Sequence, residues 1–119
     1  CSIINGSKAD IAVSIHQNSY VGEASKGAQV FYYKQSEEGK KLAGIIQNNM
    51  IKELDNTNKR VEKPDSAYYM LRNTQVPTVI VECGFLSNRE EAYKLNNDEY
   101  QQKTAYSIYC GIIEYLGQN

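Results

Sequence analysis

Residues 76–88 read VPTVIVECGFLSN, and this stretch decides the fold. The run Thr78–Val81 is apolar and rich in β-branched residues, and Pro77 and Gly84 bound it. Such a run is typical of a strand that is buried on both faces of a parallel sheet. Glu82 stands at the C-terminal end, where ligands usually bind in open α/β sheets. A carboxylate there is costly unless it is paired, hydrogen-bonded or beside a metal, so a structural ion pair is the alternative to a functional role.

A second polar residue ends another predicted strand. Asp10 to His16, DIAVSIH, alternates apolar with small or polar residues, which predicts a strand by its period of two. His16 is the only histidine of the chain. A lone histidine is more often structural than a ligand, although histidine is the commonest metal ligand. Because His16 and Glu82 both end strands, the sequence favours one site that contains both.

The remaining elements alternate between strand and helix. Short strands are predicted at 28–33 and 66–72, and helices at 37–54, 90–95 and 98–116, with Ser36 and Asp98 as helix caps. A helix end with a left-handed glycine cap is expected at Ser2–Gly6, and a loop at 20–27. The buried stripe of the last helix is expected to comprise Ala105, Ile108, Tyr109, Ile112 and Leu116. This alternation predicts an α/β fold with a mostly parallel sheet flanked by helices.

Size and charge restrict the function classes. A chain of 119 residues is expected to form one domain. The net charge of -1 gives no electrostatic reason for nucleic acid or an anionic membrane as partner, and no apolar run is long enough to be a membrane segment. Cys1 leads directly into a predicted helix end, so we expect the chain to begin inside a domain, with any export signal unseen.

The cysteines argue against two kinds of site, and the tyrosines leave one question open. The three cysteines form no spaced pair, so neither a disulfide framework nor a C-x-x-C zinc site is expected. Cys110 falls on the predicted stripe of the last helix and is expected to be a small core residue. Tyrosine is abundant, with 10 Tyr against 2 Phe and no Trp. These rings either pack with their hydroxyls in water or line a groove for a polar polymer.

His16 and Glu82 together suit metal-assisted hydrolysis. A neutral imidazole is a good zinc ligand, and zinc lowers the pKa of a bound water to about 7. A nearby carboxylate can take a proton from that water and return it to the leaving amine of an amide. A catalytic zinc normally has three protein ligands, of which this chain offers one histidine.

Three blocks in combination resemble a known family. ADIAVSIHQNS, GAQVFYY and VPTVIVECGFLSNREEAYKL are similar to the zinc-dependent N-acetylmuramoyl-L-alanine amidases of the amidase-3 family, and most of all to the germination-specific amidases of spore-formers. The resemblance covers essentially the whole chain. It implies a twisted, mostly parallel sheet flanked by helices. It also implies hydrolysis, by zinc-activated water, of the bond between N-acetylmuramic acid and L-alanine of the stem peptide. The expected location is extracytoplasmic, in the cell wall or spore cortex.

The resemblance assigns roles to four residues. His16 matches the last zinc ligand and Glu82 matches the catalytic glutamate. Asn18 matches a polar residue after the ligand, and Arg72 falls where the family often has an arginine before the final strand, so both are candidates for substrate binding. The family's two earlier ligands, a histidine in a Gly-rich turn and a glutamate, are expected upstream of Cys1.

The resemblance therefore implies that residues 1–119 form the C-terminal portion of a single amidase catalytic domain, inactive alone. It implies one Zn²⁺ and three partners: peptidoglycan, the N-terminal half of the same domain, and an accessory protein. Two alternatives stay open. In the first, Cys83 is a thiol nucleophile and His16 is its base. In the second, the domain is metal-free and binds peptidoglycan or a partner without catalysis.

Overall fold

A computed structural model describes residues 2–18, 27–85 and 89–118 of the chain. In these ranges the elements follow in the order α1 (Ser2–Gly6), β1 (Ala12–Asn18), β2 (Gln29–Tyr33), α2 (Glu37–Leu54), β3 (Lys63–Asp65), α3 (Tyr69–Asn73), β4 (Thr78–Phe85), α4 (Arg89–Leu95) and α5 (Asp98–Gly117). Within those same ranges, no helix combines the length and the apolar character that crossing a membrane requires.

The four strands form one sheet in the order β1-β4-β2-β3. β1 pairs with β4 in parallel, and β2 pairs with β3 in parallel, whereas β2 runs antiparallel to β4. The predicted sheet, mostly parallel and flanked by helices, is therefore confirmed, with the antiparallel β2–β4 pair making it mixed. Because β4 is paired on both sides, its apolar run is central, as its continuous hydrophobicity predicts.

The two faces of β4 are covered differently. Val79 and Val81 belong to a cluster of buried side chains that α2 and α5 also supply. Ile80 is buried outside that cluster, and so is Leu71 of α3. Because successive side chains of a strand point to opposite faces, Ile80 and Glu82 share the second face. We call the face of Val79 and Val81 the core face, and the face of Ile80 and Glu82 the site face.

Helix α2 forms as its sequence predicts. Ser36 caps it, with its hydroxyl accepting a hydrogen bond from the Gly39 N–H at 2.9 Å. Leu42, Ile46 and Met50 recur every fourth residue and are fully buried on the core face.

Helix α5 buries a different face from the predicted stripe. Ile108 is buried and Ile112 is partly buried, but Tyr109 and Leu116 are 59% and 44% exposed, and Ala105 is exposed too. Its buried residues are Thr104, Ser107, Ile108, Gly111 and Tyr115. Of these, Gly111 allows close contact with α2, since a Cβ on it would lie 2.9 Å from Ile46 Cγ1. Cys110 is half-buried and outside the core cluster, so its expected place in the core is wrong.

A side chain of α2 completes the edge of β2 where β3 does not reach it. The Gln47 carboxamide accepts a hydrogen bond from the Val30 N–H at 2.8 Å and donates one to the Ala28 carbonyl at 3.0 Å. Gln47 is fully buried, so its own polar atoms depend on these bonds. The amide thus takes the place of a neighbouring strand at this point.

Three local predictions are wrong. The segment 66–72 is not a strand: α3 begins at Tyr69, and the strand nearby is β3. The left-handed residue after α1 is Lys8, with φ 62°, and not Gly6. The cap of α5 is Asn97, which accepts a hydrogen bond from the Tyr100 N–H at 3.0 Å. Most of the predicted loop at 20–27 and the 86–88 segment lie outside the described residues.

Candidate functional site

The register of β1 and β4 places His16 beside Glu82. The two residues are direct partners in the parallel ladder. Register partners on adjacent strands project their side chains to the same face, so both lie on the site face. The ladder becomes irregular between His16 and Asn18, immediately after this pair. The predicted strand ends are two and three residues too early, because β1 continues to Asn18 and β4 to Phe85. The prediction that the two strands bring the imidazole and the carboxylate together agrees with this register.

Glu82 is a buried carboxylate. Its side chain belongs to a residue that is 3% exposed, and its Oε2 atom has no hydrogen-bond partner among the described residues. Burial raises the pKa of Glu82, and the positive charge that His16 can carry offsets part of that rise. A structural carboxylate of this burial would be expected to have its oxygens satisfied. The unpartnered oxygen therefore suits a group that meets a ligand or a water molecule.

His16 lies on the exposed side of the pair. β1 is an edge strand of the described sheet, and the imidazole is open to solvent. The Ser14 Oγ lies 2.7 Å from the His16 Nε2, a hydrogen bond that restrains the orientation of the ring. Ligating histidines commonly use one ring nitrogen for such a bond and the other for the metal. The position and the restraint both suit a metal ligand.

Cys83 is a core residue. It is buried in the cluster on the core face, one residue along the strand from Glu82. Burial first, and the neighbouring Glu82 charge second, raise the pKa of its thiol to about 11. A thiol with this pKa is protonated at neutral pH, whereas nucleophilic cysteines are thiolates. These observations argue against Cys83 as the nucleophile.

Neither of the two further predicted residues, Asn18 and Arg72, is a register partner of His16 or Glu82. Asn18 ends β1 and is the register partner of Phe85, beyond the irregularity in the ladder, and its side chain lies outside the described part. Arg72 is exposed in the last turn of α3 and not on a strand. The prediction of a strand at 66–72 is therefore wrong for Arg72, whose backbone is helical.

A second buried carboxylate, besides that of Glu82, was not expected from the sequence. Glu91 of α4 is 7% exposed, and its Oε1 accepts a hydrogen bond from the Gly27 N–H at 2.6 Å. A Cβ on Gly84 would lie 3.2 Å from this oxygen, so the glycine makes room for it. Gly27 itself has φ 95°, which glycine adopts without strain. The contact fixes the start of β2 next to the end of β4.

An aromatic pair occupies the site face on the β2 side. Phe31 is the register partner of Ile80 and therefore lies on the site face. Its ring centroid lies 5.7 Å from that of Tyr68, with the ring planes 58° apart. Sequence reasoning missed Tyr68 because it treated residues 66–72 as a strand.

The donor set present fits part of a zinc site. In the part of the chain that the structure describes, no three His, Cys, Asp or Glu side chains are grouped so that they could hold a metal ion. His16 fits one ligand position, and the buried, unpartnered Glu82 oxygen fits a carboxylate that faces a reacting water. The arrangement therefore provides one potential ligand and one potential proton acceptor on the same face.

Comparison with known proteins gives consistent matches. The Amidase_3 family, described as N-acetylmuramoyl-L-alanine amidase, matches residues 1–114. The germination-specific N-acetylmuramoyl-L-alanine amidase of Bacillus subtilis (strain 168) is 40% identical over 114 residues, which are 96% of this chain and 48% of that protein. The chain thus spans about half the length of this relative.

Two solved structures share the fold. The CwlD amidase of Clostridioides difficile, solved in complex with the GerS lipoprotein, superposes with a TM-score of 0.96 at 41% identity, covering 99% of this chain and 60% of that one. An N-acetylmuramoyl-L-alanine amidase of Clostridium difficile 630 superposes with a TM-score of 0.90 at 30% identity, covering 98% and 62%.

Proposed function

Because this chain belongs to the N-acetylmuramoyl-L-alanine amidase family of the Amidase_3 type, we propose that the protein carrying it cleaves peptidoglycan. The bond cleaved is the amide between N-acetylmuramic acid and L-alanine of the stem peptide. The observation that carries the proposal is the buried Glu82 carboxylate beside His16 on one face of the sheet.

In this proposal Glu82 is the general base and then the general acid. Its unpartnered Oε2 accepts the proton of the attacking water and returns it to the leaving amine of L-alanine. The burial that raises the pKa of Glu82 supports this role, because a raised pKa makes the carboxylate a stronger base, and a pKa nearer the working pH suits a group that first takes a proton and then returns it. Ser14 keeps the His16 ring in orientation beside it.

We further propose that His16 is one ligand of a single Zn²⁺, with two ligands from sequence upstream of Cys1. Zinc, when bound, supplies a Lewis acid that polarises the amide carbonyl and acidifies a water molecule. Asn18 and Arg72 remain proposed substrate-binding residues on the strength of their match to the family motif.

The chain is proposed to be the C-terminal portion of one catalytic domain. β1 lies at the edge of the described sheet, and Ile15 on it is 59% exposed. Beside it lies a cavity of about 340 Å³, lined by His16 and Cys83 together with residues of α4 and α5 such as Leu95, Gln101 and Ile108. An apolar edge of this kind suits further strands and helices of the same domain. We expect residues 1–119 alone to be inactive.

The names of the relatives support finer proposals about setting. The germination-specific relative supports a role in spore cortex maturation or germination, outside the cytoplasm. The lipoprotein complex of the structural neighbour supports an accessory protein as partner of this one. Both proposals concern the protein that contains the whole catalytic domain.

The test uses that complete protein with purified peptidoglycan. We expect release of stem peptides that begin with free L-alanine, loss of release with a chelator, and recovery after Zn²⁺ is added back. Resistance to thiol reagents is expected in parallel, because the Cys83 thiol is buried. If zinc-loaded protein binds peptidoglycan but leaves it uncut, the alternative of a binding module without catalysis replaces this proposal.

A further inference from the structure

We propose that Tyr68 is a substrate-binding residue on the β2 side of β4 and donates a hydrogen bond to a carbonyl oxygen of the substrate. This inference rests on the proposed function, because it names a contact of the same site.

The backbone before α3 holds Tyr68 in place. The Asp65 Oδ1 accepts hydrogen bonds from the Ala67 N–H at 2.6 Å and from the Tyr68 N–H at 3.1 Å. This turn fixes the chain directly after β3, which is itself paired with β2. Tyr68 is then the first residue before α3, with extended backbone. Its ring position is therefore tied to the sheet.

The contact with Phe31 places the Tyr68 ring on the site face. Phe31 lies opposite Ile80, which precedes Glu82 by two residues on the same face. The tilted contact between the two rings, at 5.7 Å, makes an aromatic surface on β2. Tyr68 is half-buried, so part of the ring remains available.

Two features flank β4 on the site face. His16 on β1 is level with Glu82, whereas the Phe31–Tyr68 pair on the β2 side is level with Ile80, and the buried Gln29 is the register partner of Glu82 on β2. Neighbouring strands are about 4.8 Å apart, so β1 and β2 are separated by about 10 Å. This spacing suits one extended chain of a peptide or glycan that crosses β4 obliquely, from His16 past Glu82 towards Tyr68.

The electrostatic environment agrees with this placement. Burial first, then the charges of Glu82 and Asp65, raise the pKa of the Tyr68 hydroxyl. The hydroxyl therefore keeps its proton at neutral pH and acts as a donor. None of the described residues accepts a hydrogen bond from it, so the donor is available to a ligand. An amide substrate has a carbonyl oxygen that accepts hydrogen bonds and an N–H that donates them. The Tyr68 hydroxyl is a donor for the first, and ionised Glu82 is an acceptor for the second.

The substrate class matches the chemistry of a tyrosine. Peptidoglycan presents sugar rings with apolar faces next to a row of amide carbonyls. A tyrosine offers an apolar ring for the first and a hydroxyl for the second. The adjacent Tyr69 is 67% exposed and starts α3, so the chain provides a matched control one residue away.

The experiment compares Tyr68→Phe and Tyr68→Leu with Tyr69→Phe and Tyr69→Leu in the complete, zinc-loaded protein. Loss of one hydrogen bond in Tyr68→Phe is expected to raise KM about three- to tenfold with little change in kcat. Tyr68→Leu also removes the ring and is expected to raise KM by more. Both Tyr69 variants are expected to match the parent. Zinc content and thermal midpoint are measured for every variant.

An unchanged KM in both Tyr68 variants would overturn the inference, and so would an equal rise in the Tyr69 variants. Co-sedimentation with insoluble peptidoglycan, in a Glu82→Gln background, reads the contact without turnover. Weaker co-sedimentation on adding Tyr68→Leu supports the inference, and equal co-sedimentation overturns it. A parent that cuts no peptidoglycan contradicts the proposed function alone, because co-sedimentation still decides the role of Tyr68.

Discussion

Glu82 and Cys83 are neighbours on β4, and burial acts on both in the same direction with different consequences. They are 3% and 5% exposed, and burial raises the pKa of each. The thiol lies among apolar side chains on the core face, whereas the carboxylate lies beside an imidazole and keeps an oxygen without a described partner. Burial therefore determines the direction in which the pKa shifts, whereas the face of the strand determines whether the side chain can contact a reactant.

The strongest test of this contrast is removal of the acid on the site face. Glu82→Gln in the complete protein is expected to lower kcat about a hundredfold or more, because it removes the general base and preserves the shape of the side chain. Zinc content, measured by elemental analysis, is expected to stay at the parent value. His16→Ala is expected to lose zinc as well as activity.

The matched control is Glu90→Gln on α4, whose carboxylate is exposed and pairs with Lys94 at 3.3 Å. It should behave as the parent in both measurements. Equal hydrolysis by Glu82→Gln and the parent would remove Glu82 from the mechanism.

On the core face, the same contrast predicts that the Cys83 thiol reacts slowly with alkylating reagents. With a pKa of about 11, Cys83 is a thiolate about a hundredfold less often at neutral pH than a free cysteine, and it is also buried. Half-buried Cys110 is therefore expected to react with iodoacetamide before Cys83, as peptide mass spectrometry would show. Labelling of Cys83 should accelerate as the pH rises towards about 11. Preferential labelling of Cys83 at neutral pH would reopen its case as a nucleophile.

A third change separates stability from chemistry. Gly111→Ala adds a Cβ that would lie 3.0 Å from the Ile46 Cα, so α2 and α5 must separate. We expect a loss of about 1–3 kcal/mol in the free energy of unfolding, with unchanged kcat for the folded fraction. Gly117→Ala on the same helix meets nothing within 4 Å and is expected to change stability by less than about 0.5 kcal/mol. Urea unfolding measures both, and equal effects would refute the close packing.

The smallest expected effect is a pH-dependent stability difference at Glu82. Its folded-state pKa is above the ordinary value of 4.5, so the folded protein holds this proton more tightly. The resulting stabilisation is present below the ordinary pKa and is lost as the pH rises through the folded-state pKa. In metal-free protein, Glu82→Gln should therefore gain stability relative to the parent as the pH rises above the ordinary value of 4.5. Thermal unfolding across this range checks the sign, and a constant difference contradicts it.

Long periodic segments and buried strands could be predicted from the sequence. Ser36 and the fourth-residue repeat of α2 define one helix start and one buried face, and the structure has both. The three residues Val79–Val81 before Glu82 are apolar on both faces, which is typical of a central strand. The pairing of His16 with Glu82 follows from two strand ends, although the antiparallel β2 between β4 and β3 was not foreseen.

Short and closely packed segments could not be predicted. Residues 66–72 hold two adjacent tyrosines, which favour a strand by propensity, but Met70 and Leu71 favour a helix. The Asp65 side chain also accepts hydrogen bonds from two following N–H groups and turns the chain. On α5, counting apolar residues selected Tyr109 and Leu116, whereas packing against α2 required Gly111 and Ser107. Propensity and periodicity describe single elements, and these outcomes depended on what each element touches.

The carboxamide of Gln47 has a consequence for how β2 finds its place. Its paired acceptor and donor fit the Val30 N–H and the Ala28 carbonyl only when that strand is in one alignment. A slip of one residue would direct both backbone groups away and leave a buried amide unsatisfied. The same contact occupies edge groups that would otherwise be free to pair with a foreign strand. The Gln47 side chain thus disfavours both misalignment of β2 and aggregation at this edge.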